Sequence, residues 1–148
     1  MGHDRILVPF SAEHVLQYDP QPEHRAEFLG MLRSGVDWAE VQIEGMSFSG
    51  FRGYQLLGCA GAAPQWTGRA VVWALLSEHI GRHDMLWVHR ETMNFLDRIQ
   101  KDHRRIETIV AMDFAPGHRW ANMLKFQMEA VMKQYNNGRD YALYSRII

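Results

Sequence analysis

The stretch from Ala70 to Lys101 constrains the fold more than any other part of the sequence. It opens with an unbroken apolar run, Val71-Val72-Trp73-Ala74-Leu75-Leu76, and passes through the polar segment Ser77-Glu78-His79-Ile80-Gly81-Arg82-His83. A short apolar run bounded by turn residues predicts a strand buried on both faces. Beyond it, Met85, Val88, Thr92, Phe95, Leu96 and Ile99 recur at helical spacing, with Arg90, Glu91, Asn94, Asp97, Arg98 and Lys101 between them. That periodicity predicts a long amphipathic helix, with Asp84 as its N-cap. A strand that feeds a helix through a Gly-bearing turn leaves free backbone N–H groups at the positive end of the helix dipole. Such an end suits a phosphate or diphosphate.

The flanking chain alternates element types around this unit. Ile6-Leu7-Val8, ended by Pro9, reads as a first or edge strand. Ser11 opens a short helix, and Pro22 sits at the first turn of another over Glu23 to Arg33, with a weaker helical pattern over Val36 to Ile43. From Gly45 the period changes. Met46 to Ser49, Tyr54 to Gly61 and Ala70 to Leu76 are strands joined by short turns, an antiparallel meander. After the long helix, the β-branched run Ile106 to Met112 predicts a strand parallel to Ala70–Leu76, reached by a right-handed crossover. A helix over about His118 to Leu124 follows. Met128 to Tyr135, the Asn136-Asn137-Gly138 turn and Asp140 to Ile148 then form a hairpin.

Bulk properties exclude several classes of function. The 148 residues correspond to one domain, 1–148, and carry a formal net charge of −1, so no global field attracts nucleic acid or an anionic membrane. The single cysteine, Cys59, forbids an intrachain disulfide and a cysteine-based zinc site. No run approaches the roughly 20 apolar residues of a membrane span. The opening Met-Gly-His-Asp-Arg lacks the apolar core of a signal peptide, which favours a reducing, cytoplasmic setting. Nine Met and five Trp read as core filler and large core aromatics.

The order of elements, one strand, two helices, three antiparallel strands, a long helix, a strand, a short helix and a hairpin, resembles the GNAT superfamily of acyl-CoA-dependent N-acyltransferases. Gly117-His118-Arg119-Trp120-Ala121-Asn122-Met123-Leu124-Lys125-Phe126 looks like the family's fourth helix and its Leu-Gly-Phe ending, with Lys125 at the glycine. Glu129, the Tyr135 to Gly138 turn and Tyr141-Ala142-Leu143-Tyr144 match the closing hairpin. Gly58-Cys59-Ala60-Gly61, Trp66 to Ala70 and Trp73 to Ser77 are similar to a bacteriophage-encoded, acetyltransferase-like branch that includes a GNAT-like internal virion protein of podophages. The resemblance covers residues 45 to 148. It implies an α/β (α+β) fold with a mixed, mostly antiparallel central sheet and helices on both faces.

The resemblance also implies acetyl-CoA as cofactor. Leu75, Leu76 and Ser77 would line the pantetheine arm, and Ile80, Gly81, Arg82, His83 and Asp84 the diphosphate. The family loop reads Gln/Arg-x-x-Gly-x-Gly/Ala. Here it is Glu78-His79-Ile80-Gly81-Arg82-His83, with an acid at the first position and a histidine at the last small one. The family's usual tyrosine on the fourth helix is replaced by Arg119, Trp120 and Ala121. Acyl transfer to an amine needs a base, a polarising group for the thioester and an acid for the leaving thiolate. Glu78, at the strand end, is the candidate base, against a plain solvated carboxylate. Tyr144 is the candidate acid, with Tyr135 and Tyr141 as alternatives. His79 and His83 are titratable near neutral pH.

The bland readings stand beside these. His79, His83 and His89 do not gather on one helix face, so no metal is expected. Cys59 lies among small apolar residues and reads as a buried, inert thiol. The Arg98 to Arg105 cluster reads as a solvated helix end, against a nucleic-acid patch. Two functions follow: an N-acetyltransferase acting on a small-molecule or protein amine, or a GNAT-fold protein with weak or lost catalysis that binds other virion proteins. Host cytoplasm and virion are the corresponding locations.

Overall fold

A computed structural model describes residues 4–25 and 46–148. The helices expected beyond Arg25, through Arg33 and over Val36 to Ile43, lie outside the described residues. Seven strands form one sheet in the order β1-β2-β3-β4-β5-β7-β6. They are β1 (Arg5–Pro9), β2 (Ser47–Arg52), β3 (Gln55–Trp66), β4 (Arg69–Leu76), β5 (Arg105–Ala111), β6 (Gln127–Asn136) and β7 (Arg139–Ile147). Two α-helices are described, α1 (Arg82–Gln100) and α2 (Ala115–Met123). The β4–β5 pair is parallel, and β1–β2, β2–β3, β5–β7 and β6–β7 are antiparallel. This is the mixed, mostly antiparallel α+β architecture that the sequence implies. The chain divides into two compact units, Met1–Ala63 with Trp73–Val88, and Pro64–Val72 with His89–Ile148.

In the first unit, Phe10, Val15, Tyr18, Leu56, Cys59 and Leu75 form a buried cluster, with Phe51 and Trp73 packed against it. Each large apolar side chain so buried contributes about 1.5–3 kcal/mol. Val15 comes from a 3-10 helix, Ala12–Gln17, that Ser11 caps, and Tyr18 is its C-cap. Glycine is required where β3 meets β4, because a Cβ on Gly58 would stand 2.6 Å from the Leu75 carbonyl oxygen. The expectation of a strand buried on both faces needs correction at β4. Ala70 and Leu75 are buried, but Val71 to Ala74 and Leu76 are half-buried. The register of β4 with β5 covers Arg69 to Val71, while β4 runs on to Leu76. A strand covered by a parallel neighbour over only part of its length cannot bury both faces throughout.

The second unit is held by two polar clusters. Arg146, 4% exposed, donates from Nε to the Leu124 carbonyl at 2.9 Å, from Nη1 to Gln100 Oε1 at 2.9 Å and from Nη2 to Asp97 Oδ1 at 2.8 Å. It thereby ties the last turn of α1 to the C-cap of α2. Across the strands, Glu107 takes a bidentate contact from Arg69 at 2.9 and 2.7 Å and a further one from Arg105. Arg105 in turn grips Glu129 at 2.8 and 2.7 Å. The Arg69 hydrogen bonds outweigh burial and, with Arg105, hold the Glu107 carboxyl down to about 2.

Helix α2 ends in a Schellman motif. The Phe126 amide donates to the Ala121 carbonyl at 2.9 Å and the Lys125 amide to that of Asn122 at 3.1 Å. The residue between must be left-handed, and Lys125 has φ 71°. That is the physical reason for the family's glycine here. The hairpin turn is likewise left-handed, with φ 53° at Asn137 and 74° at Gly138, as an Asn-Gly turn requires.

Lys125→Gly should stabilise the chain by about 0.5–1 kcal/mol, the left-handed penalty less the added unfolded-state entropy. A lower midpoint in thermal denaturation would contradict this. For Glu107 the depressed carboxyl contributes stability above about pH 4.5, and that contribution is lost as pH falls towards about 2. Glu107→Gln should therefore cost about 2 kcal/mol at neutral pH. In urea titrations its gap from the parent should close on acidification through that window.

Candidate functional site

The end of β4 and the start of α1, both in the first unit, bring the expected cofactor residues together. Leu75 and Ser77 are buried, and Leu76 and Ile80 half-buried. The backbone amides divide into two groups. Ser77 donates to the Leu57 carbonyl at 2.9 Å, Glu78 to that of Asp19 at 2.9 Å and Ile80 to that of Ser77 at 3.4 Å. His79 donates to Ser77 Oγ at 3.1 Å, and Gly81 to Asp84 Oδ2 at 2.8 Å. Among the described residues, the amides of Arg82, His83 and Asp84 make no hydrogen bond. These are the orphan donors of the first helical turn.

Asp84 is not the N-cap. The helix begins at Arg82, and Asp84 is its third residue, whose carboxylate reaches back to the Gly81 amide in the manner of a capping box. Its carboxylate is 2% exposed and also accepts from Arg5 Nε at 2.7 Å and from Arg52 Nη1. Burial alone pushes this carboxyl up. The Gly81 amide, Arg5 and Arg52 together outweigh burial and hold it below the usual carboxylate range. Arg5 and Arg52 stand 79 and 32 residues away in sequence, so no local pattern could have marked them.

At this turn Asp84 and Glu78 are each paired with arginine. Glu78 Oε2 accepts from Arg25 at 3.3 Å, and His79 Nε2 lies 2.8 Å from Asp19 Oδ2. The Tyr18 hydroxyl donates to the Leu76 carbonyl at 3.2 Å, and Pro20 bridges Ser77. The segment Tyr18–Pro20 thus seats the loop. The side chains of Arg82 and His83 are exposed. A Cβ on Gly81 would meet Asp84 Oδ2 at 3.2 Å, so the turn is close-fitting there.

Tyr144 belongs to the second unit. It is 2% exposed, and its hydroxyl lies 2.6 Å from His118 Nδ1. His118 Nε2 lies 3.0 and 3.1 Å from the carbonyls of Ala111 and Met112. Carbonyls only accept, so Nε2 carries the hydrogen and Tyr144 donates to Nδ1. Burial raises the Tyr144 phenol above its ordinary value. Tyr141 is buried too and Tyr135 is exposed beside it. His89 accepts at Nδ1 from Trp120 at 3.1 Å. Cys59 is buried, and its thiol is pushed up by burial to about 11, with Ser49 opposing.

Within the basic cluster, Arg105 pairs with Glu107 and Glu129, and Arg98 lies over the Phe95 ring. Among the described residues no group of three or more His, Cys, Asp or Glu is placed to hold a metal ion. No described helix is long and apolar enough to cross a membrane.

No protein-family model and no curated protein matches this sequence. Solved structures do. A GNAT-family acetyltransferase from Bacillus anthracis superposes with a TM-score of 0.68 at 11% identity, covering 99% of this chain and 96% of that one. Ard1 from Thermoplasma volcanium gives 0.72 at 15%, with 97% of both chains covered. The structure of yncA from Salmonella typhimurium with its cofactor acetyl-CoA gives 0.63 at 10%, covering 97% and 93%. From first strand to closing hairpin, this chain has the fold of the GNAT acetyltransferases.

Proposed function

We propose that this chain is a GNAT-type N-acetyltransferase that uses acetyl-CoA to acetylate a small-molecule or protein amine. One observation carries the reading: β4 runs through the Gly81 turn into α1, and the amides of Arg82, His83 and Asp84 are open. The positive end of the helix dipole favours a diphosphate there. Asp84 does not oppose it as a bare anion, because Arg5 and Arg52 neutralise the carboxylate. In this reading Ile80 to Asp84 hold the diphosphate, Arg82 adds a cation, and Leu75, Leu76 and Ser77 line the arm. Bound there, acetyl-CoA supplies an activated acetyl thioester. Glu78 takes the proton of the ammonium group. A micromolar cofactor needs about 8 kcal/mol, of which the helix dipole supplies about 0.3–1. The loop amides and the end of β4 supply the rest.

A second reading has an observation of its own. The amides of Ser77 to Gly81 already have protein acceptors, and the Tyr144 proton is committed to His118. Both fit a GNAT-fold chain with weak or lost catalysis, a binding component of a phage virion.

Calorimetric titration with acetyl-CoA separates the two. The first reading predicts measurable heat and a raised thermal midpoint. No heat and no shift at millimolar cofactor would leave the second. Arg82→Ala should weaken acetyl-CoA about fivefold, the worth of one exposed cation of about 1 kcal/mol, without changing the midpoint of the free protein. An unchanged affinity would remove Arg82 from the site.

A further inference from the structure

We propose that His14 is an acid-sensitive latch whose protonation releases the Ala12–Gln17 helix cap and loosens the Tyr18–Pro20 segment from the end of β4. The Ser11 amide sets the ring's tautomer. His14 Nδ1 lies 3.2 Å from the Ser11 amide and 2.7 Å from Ser49 Oγ. An amide only donates, so Nδ1 carries the lone pair and the neutral ring is protonated at Nε2. The Ser49 hydroxyl then donates to Nδ1. Ser49 Oγ also lies 3.3 Å from Cys59 Sγ, so its single hydrogen can turn to Nδ1 or to the sulfur. The contacts run from His14 Nδ1 through Ser49 Oγ to Cys59 Sγ.

Taking a proton from solvent, half-buried His14 becomes a donor at Nδ1. The Ser49 hydroxyl turns to accept from it and to donate to the sulfur. The Ser11 amide is left facing an N–H. That amide is one side of the cap on Ala12–Gln17, the other being the Glu13 amide on Ser11 Oγ at 3.3 Å. The helix leads into Tyr18, whose hydroxyl holds the Leu76 carbonyl, and Asp19, whose carbonyl accepts from the Glu78 amide. The charged group beside the ring is Glu13 on its own element. β2 presents Ser49 and Phe51, Phe10 packs edge-on, and Cys59 of β3 stands behind Ser49. Burial lowers the His14 ring below its ordinary value, with Glu13 opposing. The neutral latch therefore holds at neutral pH and opens on acidification. A second histidine touches the same segment, with His79 Nε2 2.8 Å from Asp19 Oδ2.

Amide hydrogen exchange by NMR tests the latch at about pH 7.5 and about pH 5, bracketing histidine titration, with intrinsic rates divided out and His79→Asn as background. The amides of His14, Tyr18 and Glu78 should lose protection about fivefold on acidification, the worth of one lost cap. The Ser77 amide, bonded to Leu57, should not change. In His14→Gln the loss should vanish. Protection that does not change with pH, or a loss that persists in His14→Gln, overturns the proposal. So does a neutral His14 ring carrying its hydrogen on Nδ1 in the ring-nitrogen spectrum of the unmutated protein, a readout that needs no variant to fold.

Discussion

A carboxylate removed from water must be met by charge and by donors, or it will not stay ionised. Asp84 is met by both. Two arginines on neighbouring strands and one backbone amide converge on a side chain that begins a helix. The position of α1 follows from that convergence. Its first turn is pinned to β1 and β2, so Trp87 comes down on Gly50, where a Cβ would stand 3.0 Å from the ring. Among the described residues, the amides of Arg82 to Asp84 have no acceptor. A helix whose positive end is satisfied from within by one carboxylate, with two guanidinium groups behind it, keeps a small positive excess for whatever approaches from outside.

The second unit solves the same problem with opposite partners. Arg146 is a buried cation whose three contacts are Asp97 and Gln100 of α1 and the Leu124 carbonyl at the end of α2. Glu107 and Arg105 extend an ion network along the strands to Glu129, which Ser145 also contacts. Desolvated charges of this kind are costly to bury and more costly to leave half-paired, so they specify which elements meet. Tyr144 belongs to this logic as well. Its buried hydroxyl joins β7 to His118 of α2, an anchor in which the His118 ring is oriented by two carbonyls.

Much of the element order was legible in the residues. The periodicity of Met85 to Ile99, the β-branched run before Ala111 and the Asn137-Gly138 turn are local signals, and each marks an observed element. Local signals misjudged two things. Val71 to Leu76 read as a fully buried strand because apolar residues fill it, yet β5 covers only its first part. Asp84 read as an N-cap because aspartate suits that position, but it reaches back from the third residue instead. The candidate site divides the same way. Gly81 and the helix start were visible as a motif. Arg5, Arg52, Asp19, Tyr18 and His118 were not, since each acts through a partner distant in sequence or through backbone carbonyls that carry no residue signature.

By itself the sequence determined which of the described segments become strands and helices, and that a strand would hand over to a long amphipathic helix near Gly81. Those outcomes depend on interactions within a few residues, which side-chain type and spacing control. The tertiary structure alone decided which amides of the turn are spent and which are open, which arginines neutralise Asp84, and that Glu78 and Tyr144 fall in different units. Hydrogen-bond partnership and desolvation depend on groups brought together across the fold, and no one-dimensional pattern records them.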